Sequence, residues 1–358
     1  MMRKIETTSR IVYVVEDINT PQFRYRVENI IEAFENNGKW SVEYYLKSDL
    51  EKLELKNVKL LIIVRQTAKD RIVLNLIKRA KRHNIMVLFD LDDLVFDYRD
   101  LQVLTESVCE KNKLYWLGYV WGVRRIAKRV DGFICTNEFL AEKLKRSFGK
   151  RVGVIRNSLN KEQVELSREL IKQKTTKKND FTIGYFSGSP THEKDFRMVE
   201  PELIRFLSEH EDTKLEVVGY MEFSDQISQF IDEGKVKIRK PVSYLELLKL
   251  ISEVEVNIAP LVINDFTNCK SELKFFEAAV VETTTIASPI YSYKKAMEDG
   301  ENGLLARKGE WFDKLEYSYQ HPKENRRVAM NARKYVLEYY YGKEFLEEVE
   351  AIYDCFAK

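Results

Sequence analysis

Short apolar runs alternate with amphipathic stretches along nearly the whole chain. In the first part of the sequence, the apolar runs predict strands and the stretches with helical periodicity predict the helices between them. The predicted strands are 11–15, 60–64, 86–89, 132–135 and 152–155, and the predicted helices are 23–36, 71–83, 113–129 and 138–148. Repeated strand-helix-strand units imply a parallel sheet that is covered by helices on both faces.

The same alternation restarts at residue 181, after a charged stretch that is typical of a solvated linker. Its predicted strands are 181–186, 215–218, 236–238, 254–259 and 284–287, and its predicted helices are 198–209, 224–232, 244–252 and 272–281. From Trp311 onward the pattern is helical, and Gly342 is predicted to divide one long helix into two. We therefore expect an α/β protein with two Rossmann-like, doubly wound domains. The expected boundaries are 1–165 for the N-terminal domain, 166–180 for the linker, 181–341 for the C-terminal domain and 342–358 for a final helix.

The overall composition excludes some classes of function. The formal net charge is only +2, from 59 basic and 57 acidic residues, which excludes a globally cationic nucleic-acid binder. The four cysteines have neither metal-site nor disulfide-framework spacing, so we expect no metal site and a reducing cytoplasm. The N-terminal segment lacks the apolar core of a signal peptide, and no apolar run approaches the ~18 residues that span a bilayer. Any membrane contact is expected to be peripheral, at the inner face of the plasma membrane.

Residues 260–277 form the first candidate site. A predicted strand ends at Pro260, and a polar loop then enters a helix that carries Lys270, Ser271, Lys274 and Glu277 at near-helical spacing. Open α/β sheets bind ligands at the carboxyl ends of their strands. The lysines suit a pyrophosphate, and the carboxylate suits a ribose diol. The alternative is a solvated helix flank with an ion pair between Lys274 and Glu277.

A second candidate site is the loop after the strand predicted at 181–186. This loop carries small residues and cations ahead of a helix, among them Gly188, Ser189, His192 and Lys194. Small residues let the backbone approach an anion, and a helix N-terminus and a lysine offset the anion's charge. The loop is therefore a candidate diphosphate seat, and the alternative is an ordinary turn in which Thr191 or Asp195 caps the helix.

Three carboxylates, Asp90, Asp92 and Asp93, follow the strand predicted at 86–89. Residues 87–92 resemble the first motif of the haloacid dehalogenase phosphatases, and Asp90 with Asp92 also resembles the Asp-x-Asp motif of GT-A glycosyltransferases. Both resemblances are short, so a capping or interdomain role is the favoured interpretation.

The helix predicted at 113–129 mixes aromatic residues with cations. That mixture suits an anionic membrane interface. A helix whose apolar side faces the core and whose basic side faces solvent fits as well, and is favoured.

Across most of its length the sequence resembles the retaining GT-B glycosyltransferases of the large family four group. Gly188 and Lys194 match the phosphate-loop glycine and lysine of that family, and Glu277 matches the glutamate that follows its donor loop. Further segments resemble the family in the same order, at 131–136, 154–160, 285–288 and 299–305. The single motifs are unspecific, and their order carries the resemblance.

The resemblance implies a donor site on the C-terminal domain. It would hold a nucleotide sugar, with UDP, GDP or dTDP as carrier, without a cofactor or metal and with retention at the anomeric carbon. Glu277 would hold the ribose, Lys194 with Lys270 or Lys274 would neutralise the leaving diphosphate, and His192 would contact the diphosphate or sugar. The remaining donor-side positions are Gly188, Ser189, Arg197 and Ser271.

For the N-terminal domain the resemblance implies the acceptor side. Residues 17–26 and 92–97 would line it, with Arg24, Tyr25, Asp92 and Asp93 as candidates. The acceptor would be a glycan or a lipid-linked or protein-linked group, in bacterial surface polysaccharide or glycoconjugate synthesis. The final helix would cross back to pack on the N-terminal domain.

Two departures from the family pattern keep a second function open. The family commonly has a further glutamate where this chain has Cys269, and an arginine where it has Ser189. Lys270 or Arg197 would supply the missing cation. The alternative is a catalytically inactive binding or chaperone subunit of a glycosyltransferase complex.

Overall fold

The computed structural model describes residues 9–35, 39–68, 71–108, 110–174, 180–187, 193–219 and 222–358. These residues form two six-stranded parallel sheets, ordered β2-β1-β3-β4-β5-β6 and β12-β11-β10-β7-β8-β9. The strands are β1 Ser9–Val15, β2 Trp40–Leu46, β3 Val58–Val64, β4 Met86–Asp90, β5 Gly132–Cys135, β6 Arg151–Val154, β7 Phe181–Phe186, β8 Thr213–Val218, β9 Val236–Arg239, β10 Val256–Ala259, β11 Thr284–Ala287 and β12 Leu304–Leu305. We call the part with β1–β6 the N-terminal half and the part with β7–β12 the C-terminal half.

Helices connect the strands in both halves. They are α1 Pro21–Phe23, α2 Asn29–Phe34, α3 Ile72–Arg82, α4 Leu101–Ser107, α5 Lys113–Ala127, α6 Glu138–Phe148, α7 Lys161–Gln173, α8 Glu193–Glu209, α9 Asp225–Asp232, α10 Tyr244–Ser252, α11 Asp265–Asn268, α12 Leu273–Val280, α13 Tyr291–Ala296, α14 Trp311–Gln320, α15 Pro322–Tyr339 and α16 Lys343–Ala357. A π-helical turn, Arg24–Glu28, joins α1 to α2, and short 3-10 turns lie at Lys47–Asp49 and Tyr98–Asp100. Among the described residues, no helix has both the length and the apolar character needed to cross a bilayer.

The core lies on both faces of each sheet. On β1, Val12 and Val14 pack into one apolar cluster, whereas Ile11 and Tyr13 pack into another on the opposite face. Because successive side chains of a strand point to opposite faces, a strand buried on both faces is a continuous apolar run. The predicted α/β architecture with two doubly wound units is confirmed.

The last helix packs on the N-terminal half. Phe345, Val349 and Tyr353 of α16 belong to the same cluster as Tyr13 of β1, and the Tyr13 and Tyr353 hydroxyls hydrogen-bond to each other. Gly342 precedes α16 with φ +85°, a left-handed conformation that glycine adopts without steric cost. The predicted break at Gly342 and the predicted crossing of the last helix are therefore confirmed.

The stretch expected to be a linker is largely helical. Helix α7 covers 161–173, and its Asn160 and Gln163 form a reciprocal capping box. Val164 and Leu170 of α7 contact the apolar cluster of the C-terminal half. A solvated linker was therefore the wrong expectation for 166–173, while 175–179 lie outside the described residues. The domain boundaries themselves remain a prediction.

Candidate functional site

A cavity of about 370 Å³ lies between the two halves. Its walls come from the C-terminal half after β10 and at the start of α8, and from the N-terminal half after β3 and β4 and along α4. The lining residues include Arg65, Asp93, Leu104, Glu106, Trp116, Lys194, Asp195, Leu261, Asn264, Phe266 and Lys270. This volume is typical of a small-molecule site, and strand ends of two parallel sheets are where such sites are expected.

The cavity wall carries an ion pair that joins the two halves and a second one within the N-terminal half. Lys270 Nζ lies 3.2 Å from Asp93 Oδ1, and Arg65 Nη1 lies 2.7 Å from Asp93 Oδ2. Burial acts to raise the pKa of Asp93, but Lys270 and Arg65 outweigh it and hold that pKa below its usual value. The carboxylate is therefore charged at neutral pH. An anionic ligand in the cavity would compete with Asp93 for Lys270.

Lys194, at the start of α8, also lines this cavity. Its Nζ donates a hydrogen bond of 3.0 Å to the backbone carbonyl of Glu106 in α4. A carbonyl is a neutral partner, so the positive charge of this lysine remains available to a ligand.

Glu277 does not line the cavity. It lies on α12, is only 8% exposed, and accepts a hydrogen bond from the hydroxyl of Tyr25 in the N-terminal half. Burial raises the pKa of the Glu277 carboxyl to about 7, although Tyr25 and nearby cations act in the opposite direction. Burial and the carboxylate together raise the pKa of Tyr25 well above its usual range. Glu277, which was expected on the donor side, and Tyr25, which was expected on the acceptor side, are thus hydrogen-bonded to each other.

Lys274 is a buried cation one helical turn before Glu277. Its Nζ has no hydrogen-bond partner among the described residues and lies 4.8 Å from the centre of the Tyr185 ring. Burial lowers the pKa of Lys274 to about 8, against the attraction of Asp195 and Glu277. A buried ammonium without a hydrogen-bond acceptor is costly and marks a place where an anionic group would be stabilised.

Three further predicted positions lie in other surroundings. Ser271 Oγ accepts a hydrogen bond of 3.0 Å from Asn157 Nδ2, across the two halves. Arg197 is 60% exposed and pairs with Glu193 one turn away on α8. Arg24 lies over the Tyr244 ring, 3.6 Å from its centre. The structure thus does not bring Arg197 or Arg24 to the cavity, and Gly188, Ser189 and His192 lie outside the described residues.

The aspartates after β4 have structural partners. Asp90 is fully buried, and Arg26 donates to both of its oxygens at 3.1 and 2.8 Å. Burial raises the pKa of Asp90 to about 6 despite this ion pair. Asp92 accepts hydrogen bonds from Gln22 and Arg65. Within the described ranges no group of three or more potential metal-ligating His, Cys, Asp or Glu side chains occurs. Because Asp90 is buried and both of its oxygens accept hydrogen bonds from Arg26, it does not suit the role of a phosphatase nucleophile.

Cys269 stands where the family that the sequence resembles commonly has a second glutamate. It is fully buried and packs with Phe266 in the apolar cluster of the N-terminal half. Burial raises the pKa of its thiol well above the usual range, so the thiol is neutral. It therefore supplies no charge to the cavity.

Sequence reasoning missed several residues of the cavity. Arg65 directly follows β3, the neighbour of β4, so the rule that strand ends meet at one edge would have found it. Glu106 and Trp116 reach the cavity from α4 and α5. No strand end or motif indicates them, because their position depends on how the loop after β4 folds over the cleft.

Known proteins resemble this chain in sequence and in fold. Residues 197–351 match a protein-family model described as glycosyl transferase-like. HepE from Anabaena, in a structure with UDP and glucose, is 13% identical, with a TM-score of 0.61 over 98% of this chain and 99% of that chain. Sucrose-phosphate synthase from Thermosynechococcus elongatus is 15% identical, with a TM-score of 0.68 over 97% and 98%. A glycosyltransferase from Rickettsia africae is 13% identical, with a TM-score of 0.67 over 98% and 99%.

Identities this low establish the fold alone. No curated protein matches the sequence. The chain has the GT-B glycosyltransferase fold over nearly its whole length, as the sequence predicted.

Proposed function

We propose that this protein is a retaining, metal-independent glycosyltransferase. It transfers a sugar from a nucleotide sugar to a glycan, a lipid-linked or a protein-linked acceptor, in the cytoplasm and in bacterial surface polysaccharide or glycoconjugate synthesis. The observation that carries this proposal is the cavity between the halves, with Lys194 and Lys270 on its donor side. The presence of UDP and glucose in the HepE structure supports a nucleotide sugar as ligand.

The lysines act on the leaving group. As the bond between the anomeric carbon and the diphosphate breaks, negative charge accumulates on the departing phosphate oxygen, and cations fixed near it lower the barrier. Lys194 and Lys270 line the cavity, and Lys274 adds a buried ammonium that has no hydrogen-bond acceptor in the described part of the chain. The acceptor hydroxyl attacks from the face that the diphosphate leaves, and its proton passes to the departing phosphate. This route retains configuration without an enzymic nucleophile.

Glu277 holds the ribose in this proposal. In the free protein the Tyr25 hydroxyl donates a hydrogen bond to the Glu277 carboxylate. A ribose diol would replace that single hydroxyl with two donors, so donor binding requires Tyr25 to move away from Glu277. Because Tyr25 belongs to the other half, the donor binds as this contact opens.

A thermal-shift screen of UDP-, GDP- and dTDP-sugars tests the function. One donor class is expected to raise Tm, since a ligand at a hundredfold excess over its Kd stabilises the folded state by about 2.7 kcal/mol. The protein should then hydrolyse that donor slowly. NMR should show that the first sugar anomer released has the same anomeric configuration as the donor. An unchanged Tm with every donor would refute the proposal.

The burial of Cys269 in place of the family glutamate favours one second candidate, an inactive binding subunit. Such a subunit would show the rise in Tm without hydrolysis or transfer. Nucleotide release that Glu277→Ala blocks would exclude it.

The affinity for the nucleotide sugar is expected to peak between about pH 7 and pH 8. Ribose hydroxyls donate to ionised Glu277, whose pKa in the free protein is about 7, so affinity falls as pH drops below that value. The phosphates favour charged Lys274, whose pKa is about 8, so affinity also falls as pH rises above that value. Isothermal titration across this range measures both limbs, because a nucleotide-sugar diphosphate does not itself titrate there. In Glu277→Gln the acidic limb should disappear, and its persistence would contradict this role of Glu277.

A further inference from the structure

Helix α5 exposes an apolar face. Leu114, Leu117 and Trp121 are 77%, 41% and 53% exposed, and they recur at the spacing that places them on one side of a helix. Gly118 lies on the same side, with open space around its Cα as far as the described residues extend. The opposite side of α5 packs into the core through buried residues such as Val123. One face therefore anchors the helix, and the other presents apolar side chains to solvent.

The same segment is strongly basic. Residues 111–130 contain six lysines and arginines and no acidic residue. Half-buried Arg125 and exposed Lys128 follow Trp121 on the same side of the helix. The Arg125 guanidinium donates a hydrogen bond to the Ala68 carbonyl and lies 4.6 Å from the centre of the Trp121 ring. Tyr115, beside the apolar face, is 45% exposed. The exposed side thus combines an aromatic and aliphatic part with a cationic end.

We propose that this α5 face, formed by Leu114, Leu117, Trp121, Arg125 and Lys128, docks the protein on an anionic lipid bilayer. Tryptophan and tyrosine favour the headgroup level of a membrane, and leucines favour the acyl boundary beneath it. Lysine and arginine next to such a face pair with anionic headgroups. On such a bilayer the basic side chains of α5 contact anionic headgroups, and its exposed apolar side chains contact acyl chains.

A second copy of the chain fits this face less well. An antiparallel contact between two α5 helices would place the cations of each against the apolar end of the other, where a single carboxylate, that of Glu110, precedes the helix. Pairing like ends would bring cations together. Charge complementarity therefore favours an anionic membrane over self-association.

The docking face also lies close to the cavity. Trp116, on the buried side of α5, lines the cavity between the halves. A helix with its side chains is about 10 Å across. A bilayer on the exposed side of α5 thus lies within reach of a group that extends from a lipid into the cleft. A lipid-linked acceptor follows from this geometry only if the proposed transferase function holds, whereas the docking itself does not depend on it.

Vesicle binding tests the docking directly. The protein is expected to co-sediment with vesicles that contain phosphatidylglycerol, much less with phosphatidylcholine alone, and less as salt is raised. The chain has four tryptophans, and Trp40, Trp116 and Trp311 are at most 8% exposed. A blue shift of tryptophan emission on binding should therefore come from Trp121. Trp121→Phe should keep co-sedimentation and lose the shift.

Matched variants separate the face from the rest of the surface. Leu114→Ser with Trp121→Ser should weaken binding at least about tenfold, and Lys128→Gln about fivefold. Met330→Ser, on α15 and 52% exposed in the wild type, should leave binding unchanged. The double variant should keep its melting temperature and its nucleotide-sugar binding in solution, which separates this test from that of the transferase function. The proposal would be overturned if the protein did not bind vesicles or if all variants bound them equally. It would also be overturned if the protein formed a dimer that the double variant disrupts and did not bind vesicles.

Discussion

Replacing Glu277 with glutamine is expected to lower kcat/KM for sugar transfer by about 10²–10³-fold while the protein stays folded. Two hydrogen bonds from ribose hydroxyls to a carboxylate contribute about 3–5 kcal/mol, and the neutral amide offers only one acceptor oxygen in their place. That oxygen can still accept the hydrogen bond that Tyr25 donates to Glu277 in the wild type, so the buried contact is kept. Initial rates at subsaturating donor measure the loss, and circular dichroism with thermal melting checks the fold.

Two controls accompany this variant. Tyr25→Phe removes the competing hydroxyl but leaves the carboxylate, so donor binding should be kept or become tighter. Glu347→Gln changes a carboxylate of α16 that is 61% exposed and pairs with Lys343 on the surface, and it should transfer at the wild-type rate. Wild-type turnover by Glu277→Gln on the true donor would contradict the assignment of Glu277 to the ribose.

Replacing Lys194 with alanine is expected to lower kcat by about 10²–10³-fold, the loss typical when one group that stabilises developing negative charge is removed. Within the described ranges its Nζ hydrogen-bonds in the free protein only to the carbonyl of Glu106, at an exposed position, so the loss of stability should be small. Single-turnover rates with saturating donor measure the chemical step.

The matched control for Lys194 is Lys214→Ala. Lys214 lies on β8 and pairs with Asp180 at the surface, 2.6 Å away, so its removal should not affect transfer. An unchanged single-turnover rate for Lys194→Ala would show that this lysine does not stabilise the leaving diphosphate.

The buried strands of both sheets could be predicted from sequence because burial on two faces leaves a continuous apolar run. The run 11–15 predicted β1, which the structure extends to Ser9–Val15. Strand β2, Trp40–Leu46, was missed because it lies at the edge of its sheet and is mostly half-exposed, so its apolar residues do not form a run. Helix α7 was missed although Asn160 and Gln163 offered a capping signal, because its charged composition outweighed that signal.

The site could be predicted only in part. Motif order indicated Lys194 and Glu277, and helical spacing after a strand end indicated Lys270; of these, Lys194 and Lys270 line the cavity. The contact between Tyr25 and Glu277 joins residues 252 positions apart and depends on how the halves pack, which no local pattern encodes. That Lys274 has no hydrogen-bond partner among the residues the structure describes is equally a property of the packed structure.

The return of α16 to the N-terminal half means that the backbone passes between the halves twice. The two passages lie side by side, since the Leu159 amide donates a hydrogen bond of 2.9 Å to the Tyr340 carbonyl. Two adjacent covalent connections behave as a hinge: they permit rotation about the line through them and resist separation or sliding. The halves should therefore rotate apart about a hinge axis at Leu159 and Tyr340, and this rotation should separate Tyr25 from Glu277. Cleaving the chain before α16 would leave one covalent connection between the halves, and their relative orientation would no longer be restricted to rotation about this axis.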